Sequence, residues 1–303
     1  MCMYKFVLCF KTQSKSLSLY DNKICNKLKM ISVIFIILFV IVLMLFIVKQ
    51  YYKQSKKIPK TIWTYWDNNI PQSVSKLINE WVYLNPSWDI KILTKDNLPK
   101  FLKSHELPKK FYDGTETPQY SSDIVRIAIL NKYGGVWLDA SIKLLKSLNW
   151  VTDEFNNTNI DYLGYKMPSF TTNKHKPVIE SWFIASKPNT IFLKAVYKEM
   201  IKAFGNRKTY VEQVEKIIDL QNIPKNLKVY LCIHVCMQFV LQTTNVDMKK
   251  FKLIDAYKDA FFLHGKFSWS SDRVVEYMKT KEFFQNKNNL NLIKLRNDER
   301  SLL

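Results

Sequence analysis

Residues 120–141 read YSSDIVRIAILNKYGGVWLDAS, an apolar run broken by two adjacent glycines. Glycine tolerates the left-handed backbone that ends a helix, so Gly134 and Gly135 are a stop signal. The apolar spacing before them predicts a helix over residues 121–133. Ser121 or Ser122 would cap it, with Asp123 in the first turn, where the helix dipole favours an anion. The VWL after the glycines predicts a short buried strand ending at Asp139. Asp123 and Arg126 stand one helical turn apart and share a face. Helix, Gly-Gly turn and returning strand could bring both to Asp139.

The flanking sequence places this unit in a sheet. IWTYW predicts a strand over 61–66, residues 73–84 a helix closed by Pro86, and WDIKILT a second strand over 88–94. Strand, helix and strand so closely spaced form a βαβ unit, which implies parallel pairing. Further strands are expected near 160–166 and 182–186, and helices near 189–203, 209–219 and 226–243. The fold class is α/β, with a mixed, mostly parallel sheet flanked by helices. The carboxyl ends of its parallel strands are the expected ligand site.

The two ends read differently from this body. About 35 residues at each end look poorly suited to a core, leaving roughly 240 for folding, enough for one large domain or two small ones. Residues 31–48, ISVIFIILFVIVLMLFIV, carry no charge, and Ser32 is the only polar side chain. That length just spans a bilayer, and no small-residue cleavage site follows, so it reads as an uncleaved transmembrane signal anchor. The resulting plan is a basic tail (1–30), the anchor (31–48), a basic linker (49–60), the main domain (61–275) and a polar C-terminal tail (276–303). Three lysines (Lys23, Lys27, Lys29) precede the span and five follow it (Lys49, Lys53, Lys56, Lys57, Lys60). This count leans towards a cytosolic C-terminal domain. Met30 stands directly before the span; a start there would remove the N-side lysines.

Net charge is +20, of which residues 1–60 supply +10 (11 Lys, one Asp). Only five of the 46 basic residues are arginine and the lysines are scattered, so nucleic acid is not an expected partner. Cys232 and Cys236 sit four apart in an apolar run and read as buried thiols, since two cysteines of one helix rarely meet disulfide geometry. His234 between them reads as a core histidine. His105 and His175 lie in polar loops and take no role.

Two carboxylates and a guanidinium at a strand edge suit a ligand with hydroxyls and a diphosphate: carboxylates accept from sugar hydroxyls, and Arg grips phosphate. By spacing alone, an intrahelical Asp123–Arg126 pair and a turn residue at Asp139 fit equally well. The ordered motifs IPKTIWTYW, NPSWDIKILT and SSDIVRIAILNKYGGVWLDAS, however, resemble those of the capsular polysaccharide synthesis proteins. These are close to glycosyltransferase family 32, the initiating yeast mannosyltransferases, and to the sugar-transferring domain of large clostridial toxins. The likeness covers about residues 58–270.

That resemblance implies a GT-A fold and transfer of a sugar from a nucleoside diphosphate donor to a glycan or other hydroxyl acceptor, usually with retention. It implies that Trp63, Thr64 and Trp66 line the base and ribose pocket. Asp123 and Arg126 would hold the donor sugar and its linkage oxygen, and Asp139 would open the family's Asp-X-Asp metal element. Here Asp-Ala-Ser replaces it, and the Ser141 hydroxyl is a poorer ligand for a hard cation than a carboxylate. The later stretch FFLHGKFSWSSD offers compensation: in related enzymes a late His and a Ser-Trp close over the diphosphate. Asp139, Ser141 and His264 could then hold manganese, with Ser268 and Trp269 over the diphosphate, or Lys266 could neutralise it without a metal. Glu180, ahead of SWFIASKP, could touch the acceptor. The expectation is a membrane-anchored glycosyltransferase; the alternative is a non-catalytic nucleotide-sugar or glycan binder with a degenerate Asp-Ala-Ser site.

Overall fold

The structure is a computed structural model that describes residues 30–31, 33–46, 57–67, 69–114 and 116–302. The chain divides into two units, residues 1–55 and 56–303. In the first, residues 30, 31 and 33–46 are helical (α1) and expose large apolar side chains such as Phe35 and Phe39. Positions 32, 47 and 48 of the expected span, the basic tail before residue 30 and most of the linker lie outside the described residues. Among the described residues, no helix is long and apolar enough to cross a membrane.

The second unit is built on a six-stranded sheet in the order β2-β1-β3-β6-β5-β7. Its strands are β1 (Thr61–Tyr65), β2 (Asp89–Leu93), β3 (Gly135–Leu138), β5 (Tyr162–Lys166), β6 (Ile179–Ser186) and β7 (Phe251–Asp255). β1 pairs in parallel with β2 and β3, and β5 with β7; β6 runs antiparallel to both β3 and β5. Five strands therefore point one way and one the other, the mixed and mostly parallel sheet expected.

Alternation along the strands sets the two cores. Trp63, Tyr65 and Trp137 face one layer, packed with α3 (Pro118–Tyr133), α5 (Ile191–Ala203), α6 (Arg207–Val214) and α7 (Cys232–Thr243). Ile62, Val136 and Leu138 face the other, packed with α2 (Gln72–Leu84) and α4 (Asn149–Asn157). Cys232 and Cys236 are buried free thiols, as expected.

Helix α3 starts earlier than predicted. Pro118 occupies its first turn and Thr117 caps it, accepting from the Tyr120 amide at 3.3 Å. A proline at that position needs no amide partner and presets φ. Asp123 is thus in the second turn, beyond most of the dipole effect. The two glycines behave as required: φ is +66° at Gly134 and +97° at Gly135. A Cβ on Gly135 would stand 2.6 Å from the Thr61 carbonyl oxygen, so the close approach of β1 and β3 at this position requires glycine.

The C-terminal region corrects the expectation of a polar tail. It folds as α8 (Phe262–Lys266), α9 (Ser271–Met278), α10 (Lys281–Asn286), β8 (Leu292–Lys294) and α11 (Asn297–Leu302). β8 pairs antiparallel with β4 (Ile142–Leu144), a strand the sequence reading did not anticipate. Leu77, Leu145, Val274, Phe283 and Ile293 form a third small core there. Alternating Leu292 and Lys294 around Ile293 gave too short a signal among the surrounding Asn and Lys to read as a strand.

Candidate active site

A cavity of about 520 Å³ opens at the carboxyl ends of β1 and β3. The residues after β1 (Trp66, Asp67), those after β3 (Asp139, Ala140, Ser141) and the start of antiparallel β6 (Glu180, Ser181, Trp182) meet there. The amino-terminal half of α3 forms another wall, because a helix returning beneath parallel strands begins at their carboxyl edge.

Arg126 organises the floor. Its Nη2 donates to Asp139 Oδ1 at 2.8 Å, and its Nη1 lies 3.1 Å from Asp123 Oδ1. The guanidinium also lies over the Trp137 ring, 5.0 Å from its centroid, and the Trp137 indole donates to Asp139 Oδ1 at 3.0 Å. Burial pushes the Asp123 carboxyl up to about 6 against the pull of Arg126, with Asp139 adding to the rise. Burial would raise Asp139 too, but Arg126 and then Lys294 outweigh it and hold that carboxyl at about 2. The site therefore pairs one firmly ionised carboxylate with one that titrates just below neutrality.

Lys294, from the region expected to be a tail, completes the floor. Its Nζ donates to Asp139 Oδ2 at 3.1 Å and to Ser141 Oγ. Asn297 and Arg300 of α11 also line the cavity. The Arg300 guanidinium lies 5.6 Å from the Trp66 ring centroid, and its buried Nε has no hydrogen-bond partner among the described residues. Of the residues singled out in the sequence, Asp123, Arg126, Asp139, Ser141, Thr64 and Trp66 line the cavity. So does Glu180, whose carboxylate is 3.3 Å from His234 Nε2. His234 is buried but lines the cavity rather than the core alone.

Five expected site residues lie elsewhere. The Trp63 indole donates to the Gly134 carbonyl at 2.9 Å and is a brace for the Gly-Gly turn. His264 is in helix α8, and its Nε2 pairs with Glu299 at 3.0 Å, both side chains wholly buried. Lys266 lies over the Tyr277 ring at 4.1 Å and 3.6 Å from Glu282. Ser268 and Trp269 form a left-handed turn (φ +50° and +63°), whose Trp269 carbonyl accepts from Arg296. The late His and Ser-Trp segment thus packs against α11 and presents Arg300 and Asn297 instead of itself.

The manganese set fails with this geometry. His264 is committed to Glu299, and the Lys294 ammonium already bridges Asp139 and Ser141. Among the described residues, no three His, Cys, Asp or Glu side chains gather as a cation site. The residues present do not fit a divalent ion between Asp139 and Ser141, since it would have to sit against an ammonium.

One signal could have flagged part of what was missed. Three of the five arginines, Arg126, Arg207 and Arg300, line this cavity, in a chain that otherwise uses lysine. Planar, fixed donor geometry is where Arg is not interchangeable with Lys.

O-glycosyltransferase braB of Annulohypoxylon truncatum is 29% identical over 181 residues, covering 54% of this chain and 42% of that protein. Glycosyltransferase afumC of Aspergillus fumigatus is 26% identical over 151 residues, 45% of this chain and 38% of that protein. The chain thus spans about two-fifths of the length of these curated relatives. Among solved structures, the galactosyltransferase LgtC with donor and acceptor sugar analogues overlaps at a TM-score of 0.41 and 11% identity, over 77% of this chain and 86% of that one. Residues 43–301 match the family described as capsular polysaccharide synthesis protein, a span that includes β8 and α11 with the site residues they carry. The chain belongs to the capsular polysaccharide synthesis protein family.

Proposed function

We propose that the protein is a glycosyltransferase of GT-A type, moving a sugar from a nucleoside diphosphate donor to a hydroxyl of a glycan or glycoconjugate. The observation that carries this reading is the Asp123–Arg126–Asp139 chain of ion pairs in a cavity at the carboxyl edge of a mostly parallel sheet. Family membership and the names of the relatives, O-glycosyltransferase and glycosyltransferase, support it.

In this reading Trp66 and Thr64 take the base and ribose, and Asp123 accepts from donor-sugar hydroxyls. Arg126 and Arg300 face the diphosphate. Negative charge grows on the leaving phosphate as the glycosidic bond breaks, and fixed cations in a partly dry cavity stabilise that charge most. The departing phosphate can take the acceptor proton, which allows retention without a strong protein base. Glu180 and His234 then belong to the acceptor side. The apolar residues 31–48 would tether the enzyme to a membrane, with the main domain on the cytosolic side.

The test is thermal unfolding with UDP-, GDP- and CDP-sugars, followed by assay of nucleoside diphosphate release. A donor that binds only the folded state raises the melting temperature by mass action. Stabilisation with release on adding an acceptor is expected. Stabilisation without release under any acceptor would favour a sugar-nucleotide binder instead.

A further inference from the structure

We propose that Lys294 is the resident cation of this site, holding the donor diphosphate through its ammonium in the place that an Asp-X-Asp element gives to a divalent metal. The inference rests on the donor-site reading above. It concerns a residue in a segment whose composition looks like a solvated tail.

The fold delivers Lys294 by backbone register. β4 starts immediately after Ser141, and Ile142 pairs with Lys294 across the β4–β8 ladder. The Leu295 amide donates to the Ser141 carbonyl at 3.0 Å, fixing the two chains beside the Asp-Ala-Ser element. From there the side chain, one-fifth exposed, reaches Asp139 Oδ2 at 3.1 Å and Ser141 Oγ. These are two of the three side chains expected to hold the metal, the third being His264.

Charge and valence argue the same way. Asp139 has both oxygens committed, Oδ1 to Arg126 and Trp137 and Oδ2 to Lys294. A carboxylate shared between two cations has little charge left to draw a hard ion. Ser141 keeps a neutral oxygen, a weak ligand for such an ion but a good acceptor for an ammonium. An ammonium has three donors. Asp139 and Ser141 take two, which leaves one N–H for a phosphate oxygen in the cavity. Arg300, whose Nε has no partner among the described residues, supplies a second positive charge to the same cavity. Serine at position 141 and lysine at position 294 then form one arrangement: a neutral acceptor and a protein cation stand where the resemblance implies a second carboxylate and a metal.

The test is calorimetric titration of the full chain in detergent with UDP, GDP and CDP, each with Mn²⁺ and with EDTA. Expected is a dissociation constant for the bound nucleotide that is the same in both, and a loss of about tenfold to a hundredfold in Lys294→Met under EDTA. Lys294→Met keeps the apolar stem, and melting of the unliganded variant near wild type shows that it folds. A second variant, Ser141→Asp with Lys294→Ala, restores two carboxylates and is expected to bind only with Mn²⁺. Wild-type binding that requires Mn²⁺ overturns this inference and leaves the donor site standing, and that arm needs no variant. Unchanged affinity in a folded Lys294→Met also overturns it. No binding of any nucleotide in either condition overturns the donor reading and this inference together.

Discussion

Asp139 and Lys294 are 155 positions apart in the chain and 3.1 Å apart between carboxylate and ammonium. Their meeting depends on the short β4–β8 pair at the edge of the site, and it ties the chemistry to the C-terminal segment.

Arg126 should be the costliest single loss. Its side chain is 5% exposed and lies against both Asp123 and Asp139. Removing it takes the ion-pair partner from Asp123 and leaves Asp139 with Lys294 alone, which costs about 3 kcal/mol or more. Arg126→Met should lower the urea midpoint accordingly and abolish turnover. A loss below about 1 kcal/mol would mean that Asp123 and Asp139 find other partners.

Asp123 predicts a trade between stability and activity. Its carboxyl titrates at about 6 in the fold against an ordinary 3.8. Between those values the native state binds the extra proton, so this group's contribution to stability falls as pH rises through that window and stays low above it. Asp123→Asn should therefore unfold at higher urea than wild type near neutral pH, with the gap closing below about pH 4. It should also lose turnover, and wild-type turnover should fall on acidification through about pH 6. A variant less stable than wild type at neutral pH would show that the Arg126 contact outweighs burial.

Asp139 runs the other way. Its carboxyl sits at about 2 in the fold, below its ordinary 3.8. The stability it contributes is present above 3.8 and lost as pH falls through about 2. Asp139→Asn should be destabilised throughout the neutral range, and urea curves at neutral pH and near pH 2 measure the difference.

Gly135 tests the turn. A side chain there needs φ +97° and overlaps the Thr61 carbonyl oxygen at 2.6 Å. Gly135→Ala should cost about 2–4 kcal/mol, from strain and the parting of β1 from β3. Thermal melting reads it directly, and a variant that melts like wild type would rule out the tight approach.

Glu299 tests the docking of α11. It is fully buried, pairs with His264 at 3.0 Å and accepts from the Arg296 amide at 2.8 Å. Glu299→Ala strands a buried imidazole and should cost about 1–3 kcal/mol. It should also weaken nucleotide binding, because Arg300 and Asn297 ride on the same helix. Destabilisation with unchanged binding would separate α11 from the site.

The sequence by itself determined the frame and half of the site. Apolar periodicity, the Gly-Gly stop and the strand–helix–strand spacing fixed the parallel sheet and the carboxyl edge that carries Asp139. The one-turn spacing of Asp123 and Arg126 put both on one face of the helix. These are local relations, and local geometry is what periodicity encodes. The tertiary structure decided the rest. Only long-range pairing of β8 with β4 brings Lys294 to Ser141, and the buried His264–Glu299 pair ties His264 to α11, the helix that carries Arg300 to the cavity. A histidine beside a Ser-Trp pair reads the same in sequence whether it faces a ligand or a helix. Which one it meets depends on the packing of segments far apart in the chain, and no spacing within either segment records it.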